Sequence, residues 1–320
     1  MRMKNVFILV LFIILIFVIG YAFQNTQKSI NNCFLLLPAN VKEENLDVVA
    51  HFDNVTVLRV VESKGLYTRI GNYIIRKNGK MYMINSSQAY FFPWGFIASI
   101  QRSKTLNVQL IIMNLSQPKV NVTVQNKETT VRVKQLVACS YDRKLLWEYE
   151  AGVPYHWIIH YGEEMPSREG VSYPSILTSS TESYLFLVEI HSAPREVPSI
   201  RRWVGEDWVY IFGKNGLVKK LSLGKDSWPK RNVFISSAGN YTILGFEQPQ
   251  EDGSPAYGRV LIFKGAEVIF NKTFSYKSGC LCYIIPGWGN IDENGYATFG
   301  LYTGIGIYNA TSGKFTYKES

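Results

Sequence analysis

Strand-turn-strand segments recur along this chain, and repetition of that kind leaves very few architectures open. Leu136 to Gly152 (LVACSYDRKLLWEYEAG) and Trp208 to Gly224 (WVYIFGKNGLVKKLSLG) are equally long and each read as strand, polar turn, strand, Gly. Arg259 to Ser275 fits with one residue fewer in its turn, Gly304 to Ser320 repeats the plan, and Asn72 to Ser87 is a further copy. Most of these turns hold Gly or Asn, residues that accept the positive φ a tight hairpin demands. A second unit precedes several hairpins: Gly239 to Gly245 (GNYTILG) aligns without a gap with Asn294 to Gly300 (NGYATFG), and Ser183 to Val188 is a degenerate copy. Turn, apolar strand, variable loop and hairpin together make an antiparallel sheet of three or four strands. Repeating that sheet around an axis buries both of its faces, which accounts for strands more continuously apolar than a one-sided sheet needs.

The hairpin Ala138 to Trp147 (ACSYDRKLLW) resembles the repeat of PQQ-like, or quinoprotein-like, β-propellers, in which a strand, an Asp-containing turn with Gly and a strand ending in Trp recur in each blade. WD40-like propellers are similar at this level. Arg143 or Lys144 stands where that family prefers Gly, and this window alone keeps the Trp. The resemblance implies an all-β propeller over residues 46–320, but a shared fold does not bring an activity with it. A period of roughly 40 to 50 residues gives about six or seven antiparallel blades. Residues 107–133 alternate apolar and polar (Val108, Leu110, Ile112; Val120, Val122, Val124; Val131, Val133), which fits a long-stranded blade or a small inserted sandwich. A stacked β-sandwich is the alternative fold.

The N-terminus sets the compartment. Arg2 and Lys4 precede an uncharged apolar run from Val6 to Gly20, continued by Tyr21, Ala22 and Phe23. A run approaching the ~20 residues that cross a bilayer, with positive charge before it, predicts a single transmembrane helix that sends the rest of the chain outward. Residues 1–23 are thus expected to be a signal anchor, 24–45 a linker and 46–320 an extracytoplasmic domain of a single-pass cell-membrane protein. Gly20-Tyr21-Ala22 is a poor cleavage site, so a cleaved signal peptide is the alternative. N-x-[ST] sequons at Asn54, Asn85, Asn114, Asn121, Asn240, Asn271 and Asn309 are spread over the exported part, where such sites are glycosylated. Cys33, Cys139, Cys280 and Cys282 are disulfide candidates in an oxidising compartment. Cys280-Leu281-Cys282 lacks the C-x-x-C spacing of a redox or zinc motif, so each of that pair is expected to bond elsewhere, with Cys33 and Cys139 available.

Without Arg2 and Lys4 the 34 basic residues fall to 32 against 25 acidic ones, and the formal charge from +9 to +7. That charge is dispersed, and outside the cell nucleic acid is not an expected partner; anionic lipid or acidic glycan would suit it. The four histidines give no metal site: His156 and His160 on a strand lie ~13 Å apart at ~3.3 Å per residue, and Pro154 and Gly162 speak against the helix that would bring them together. His51 and His191 are isolated in sequence. No G-x-S-x-G elbow or phosphate-cradling Gly loop occurs, and the adjacent Cys-Cys that the quinoprotein resemblance implies is missing, so no cofactor is expected. Recognition loops are the remaining candidates. The acidic group Glu247, Glu251 and Asp252 falls in or beside the Pro-rich loop Gln248 to Pro255, and Arg201, Arg202 and Trp203, with Trp208 nearby, put cations beside aromatics. The expectation is a non-catalytic module binding a protein or glycan. An exported hydrolase or quinoprotein-like oxidoreductase is the alternative, and a self-assembling surface component a third class.

Overall fold

The computed structural model describes residues 34–36, 46–64, 67–84, 86, 88–113, 122–152, 155–159, 168–172, 174–191, 206–224, 230–249, 255–275, 284–285, 287–302 and 304–319. Every regular element among them is a strand. No described helix is long and apolar enough to cross a membrane, and the expected anchor at residues 1–23 lies outside the described residues. The chain divides into two compact units, Met1–Ile100 with Leu136–Tyr149, and Gln101–Gln135 with Glu150–Ser320.

In the first unit, β1 (Phe34–Leu36), β2 (Leu46–Phe52), β3 (Val55–Lys64), β4 (Tyr67–Lys77) and β5 (Lys80–Ile84) form an antiparallel sheet in the order β1-β5-β4-β3-β2. The β4–β5 turn is Asn78-Gly79 with φ of 49° and 72°, the doubly left-handed backbone of a type I′ hairpin. The next sheet runs in chain order through β6 (Ala89–Phe92), β7 (Gly95–Met113), β8 (Val122–Cys139) and β9 (Leu145–Ala151). The strands β7 and β8 are 19 and 18 residues long, so the alternating residues at 107–113 and 122–133 belong to extended strands, while 114–121 lie outside the described residues. Alternate residues of the two sheets meet in one core: Val55, Val57, Tyr73 and Ile75 from one side, Phe96, Ala98, Val137 and Tyr141 from the other. The Tyr141 hydroxyl donates to the Phe92 carbonyl at 2.8 Å inside it. Between β8 and β9, Arg143 itself takes φ of 65° where the resemblance leads one to look for Gly. Its guanidinium lies 4.9 Å from the centre of the Tyr82 ring, and Asp142 pairs with Lys77 at 2.7 Å. Those contacts hold a conformation that costs a non-glycine residue about 1 kcal/mol or more.

The second unit contains the ladder of β10 (Tyr155–Ile159) with β11 (Arg168–Ser172), followed by three four-stranded antiparallel sheets, each in chain order. They are β12 (Ser175–Ser180), β13 (Leu185–Ile190), β14 (Asp207–Gly213) and β15 (Gly216–Gly224); β16 (Arg231–Ala238), β17 (Tyr241–Pro249), β18 (Pro255–Lys264) and β19 (Glu267–Phe274); and β20 (Gly289–Ile291), β21 (Tyr296–Leu301), β22 (Gly304–Asn309) and β23 (Lys314–Glu319). The hairpins expected at 208–224, 259–275 and 304–320 are β14–β15, β18–β19 and β22–β23. The first strands β12, β16 and β20 lie side by side. The middle sheet is covered on both faces: Leu244, Phe246, Leu261 and Phe263 pack with Phe186, Val188 and Ile211 of the sheet before it. Their alternates Ile243, Val260 and Ile262 pack with Ala297, Phe299 and Tyr308 of the sheet after it. A strand buried on two faces cannot alternate apolar with polar, and β18 accordingly reads VLIF through its centre.

The connections are unequal at the two ends of these sheets. At one end, every turn (181–184, 214–215, 239–240, 265–266, 292–295 and 310–313) is short. At the other lie 191–206, 225–230, 250–254 and 275–288, with 302–303 the single short link.

Candidate functional site

The end of the second unit that bears the longer connections carries a row of buried charges. Each sits where an apolar strand runs out. Glu189 interrupts LFLVEI in β13, Asp207 opens β14 and Glu247 follows Phe246 near the end of β17, and all three are buried. Desolvating a carboxylate is costly unless donors replace the lost water, and each has them.

Glu189 accepts the amide of Gly152 at 3.1 Å. Asp207 has more partners: its Oδ1 accepts the His191 amide at 2.7 Å and lies 3.1 Å from His191 Nδ1, while its Oδ2 accepts Lys230 Nζ at 2.8 Å. The Lys230 side chain is 0% exposed, and its ammonium lies 5.5 Å from the centre of the Phe246 ring. Burial pushes the Asp207 carboxyl up, but the hydrogen bond from His191 and the Lys230 charge outweigh it and hold the group below the ordinary carboxylate range. Beside it, the Ser222 hydroxyl donates to Glu206.

Glu247 ties its own sheet to the segment that precedes β20. Its Oε2 accepts Arg231 Nε at 3.0 Å and Asn232 Nδ2 at 2.9 Å, and its Oε1 accepts the amide of Ile285 at 2.9 Å. Consecutive strand residues ordinarily point to opposite faces. Here the β16–β17 register shifts between Arg231 and Phe234, and Asn232 has φ of 52°, so the bulge turns both side chains toward one carboxylate. The segment Lys230 to Asn232 therefore bonds Asp207 of the preceding sheet and Glu247 of its own.

Chemically, this is a set of anchors for the chain as it passes from sheet to sheet. The His191–Asp207 pair has the orientation of the His-carboxylate part of a hydrolase triad. Lys230, however, holds the second carboxylate oxygen at 2.8 Å, so Asp207 is already paired within the fold.

Sequence reading placed Glu247 with a solvated acidic loop, and that is corrected: it is 0% exposed and Gln248 and Pro249 continue β17, which confines the loop to residues 250–254. His191 is likewise a member of the buried ion cluster and not an isolated polar residue. A charge embedded in an otherwise apolar strand was the available signal for Glu189 and Glu247; nothing local marks Lys230. Trp208 stands half-buried on β14 with Lys220 Nζ 3.6 Å from its ring centre, a cation–π contact within the sheet. His51 is exposed with its Nδ1 3.2 Å from Thr56 Oγ1, and His156 lies on β10 opposite Val171.

Among the sequons, Asn54, Asn240 and Asn271 are exposed, and Asn309 is half-buried with its Oδ1 accepting the amides of Thr311 and Ser312 at 2.9 and 3.1 Å. Cys139 is disulfide-bonded. Arg201, Arg202, Trp203, Glu251, Asp252, Asn85, Asn114, Asn121, Cys33, Cys280, Cys282 and His160 lie outside the described residues. Among the described residues no group of His, Cys, Asp and Glu is arranged to hold a metal ion.

No family model matches the chain, and no curated protein matches it. Among solved structures, the β-propeller domain of the Trilobed protease from Pyrococcus furiosus is similar at 10% identity and a TM-score of 0.30, over 86% of this chain and 84% of that one. The acylaminoacyl peptidase of Pyrococcus horikoshii is similar at 11% identity and a TM-score of 0.30, over 90% of this chain and 46% of that one, so this chain spans less than half of that enzyme. Superpositions this loose carry no argument about activity.

Proposed function

We propose that the chain is a membrane-anchored, extracytoplasmic β-propeller-type protein that binds a protein or glycan through the connections at one end of its sheets, without catalysis. One observation carries this reading: in the three four-stranded sheets of the second unit, every connection at one end is a turn of at most four residues, whereas four of the five at the other end are longer. Long connections on a rigid scaffold are where recognition is usually placed. The buried carboxylates support it, because Glu189, Asp207 and Glu247 are spent on fixing the points from which those connections depart. Radial stacking of sheets is supported by the adjacency of β12, β16 and β20 and by the middle sheet's double-sided burial.

The test is affinity capture from membranes with the intact anchored protein. A partner retained by the wild type and lost from a triple variant, Arg201→Ala, Arg202→Ala and Trp203→Ala, or from Glu251→Ala with Asp252→Ala, supports the reading. Retention by both variants removes it. The His191–Asp207 pair favours a second reading, an exported hydrolase, whose signature would be covalent labelling by a fluorophosphonate probe that disappears in His191→Ala.

A further inference from the structure

We propose that Cys139 is bonded to Cys33, and that this disulfide is the clasp through which the N-terminal anchor holds the first unit. Cys139 ends β8, is 1% exposed inside the core of the first unit, and is disulfide-bonded. The chain has three other cysteines, Cys33, Cys280 and Cys282.

Covalent geometry narrows the choice. The Cα atoms of a disulfide are usually ~4.4 to 6.8 Å apart, so the partner must stand beside residues packed around Cys139. Phe34, the residue after Cys33, is one of these: it is buried in the cluster that contains Cys139. The centre of its ring lies 5.1 Å from that of Phe96 on β7, and a Cβ on Gly95, the residue before Phe96, would collide with the Cys139 carbonyl. The Arg143 guanidinium, four residues beyond Cys139, is 5.9 Å from the centre of the same Phe34 ring. Consecutive Cα atoms are ~3.8 Å apart, so a residue adjacent to Phe34 is within reach of this group. Cys282 is placed differently. It comes two residues before Ile284, which packs in another core, with Ile243, Phe299 and Tyr308 of the second unit, and whose carbonyl accepts the Tyr302 amide at 3.1 Å. Cys280 belongs to the same connection between β19 and β20. The pairing thus departs from the sequence-based expectation that Cys280 and Cys282 each bond to one of the other two, and it leaves them no partner in the chain but each other.

Forming the bond removes two protons and two electrons from the two thiols; a disulfide carrier of the exported compartment takes them up and is left as a dithiol. The position of the bond gives it a role. The strand β1 is three residues long, lies at the edge of its sheet and is held to β5 by three residue pairs. So short an edge strand is a weak attachment by itself. On the reading that residues 1–23 are the anchor, on which the clasp role rests, the chain leaving the membrane meets Cys33 before it meets β1. Load then passes through the disulfide to β8, an 18-residue strand flanked by β7 and β9. The bond also closes a long loop, from residue 33 to residue 139, and such cross-links restrict the unfolded chain most.

The pairing is tested on the full chain purified in detergent, with free thiols alkylated during lysis. Trypsin without reduction separates the cysteines: residues 29–42 hold Cys33, 135–143 hold Cys139, and 278–314 hold both Cys280 and Cys282. Mass spectrometry is expected to find 29–42 joined to 135–143, and the joined mass to disappear on reduction. A link from 135–143 to 278–314, or Cys139 alkylated without reduction, would overturn the pairing. In Cys33→Ser one new thiol is expected, that of Cys139, reacting only after denaturation because it is buried. The same link is expected whether residues 1–23 stay on the chain or are cleaved, so its failure is distinct from failure of the anchor. Hydrogen exchange then tests the clasp: in Cys33→Ser, β1 is expected to exchange about tenfold faster than in the wild type, with β17 and β18 unchanged. Equal protection of β1 in both proteins would overturn the clasp.

Discussion

Glu247 shows how much a single side chain carries here. Its carboxylate is fully buried and serves Arg231, Asn232 and the Ile285 amide at once. Replacing it by Ala strands three donors, and the expected loss of stability is about 3 kcal/mol, read from urea denaturation; a loss below about 1 kcal/mol would mean that water replaces the carboxylate. Asp207 belongs to the same scale but answers to pH. Burial raises its carboxyl pKa, and the His191 hydrogen bond and the Lys230 charge lower it further than burial raises it. A carboxyl depressed in the folded state contributes stability above its unfolded value of about 3.9, and loses that contribution as pH falls through the folded value. Denaturation series from neutral pH down to about pH 2 are expected to show a steeper acid limb for the wild type than for Asp207→Asn, which should be less stable at neutral pH. Identical limbs would show that Asp207 does not govern acid unfolding.

At the scale of the strand, the closing Gly of the repeat has a steric reason. The ring of Phe234 from β16 occupies the space where a Cβ on Gly245 of β17 would stand, so any side chain there collides with a core aromatic. Gly245→Ala is expected to cost about 1 to 3 kcal/mol, and Phe234→Leu in the same chain to recover part of that loss. A double-mutant cycle on thermal denaturation measures the coupling, and additive losses would place the clash elsewhere. The strand also explains which parts of the sequence could be read without a structure. Windows with a polar turn between apolar runs became hairpins because local chemistry, such as Asn78-Gly79 with both φ values positive, sufficed to set them. Arg143 was harder, since its left-handed backbone is held by Tyr82 and its turn by the Asp142–Lys77 pair, contacts from residues about 60 positions earlier.

For the whole molecule, the middle sheet β16–β19 is covered on both faces, β13 and β14 of the sheet before it are buried at nearly every position, and β23 is the edge of the last sheet. Hydrogen exchange is therefore expected to be slow through β13, β14, β17 and β18 and fast along β23. Equal protection across the three sheets would contradict a stack in which the neighbours shield the centre. The repeat and its turns were determined by the sequence alone, because period-two strands and positive-φ turns are local properties. So was the expectation of two-sided burial, because β18 is apolar at consecutive positions. Only the tertiary structure decided which charges face water. Glu247 reads as one more acid beside a Pro-rich loop until the bulge at Asn232 and the chain before β20 bring their donors to it. Lys230 carries no sign of burial until Asp207 and Phe246 are placed around it. The physical reason is that the solvation of a charge depends on groups distant in sequence, whereas the pleat and the turn depend on their own few residues.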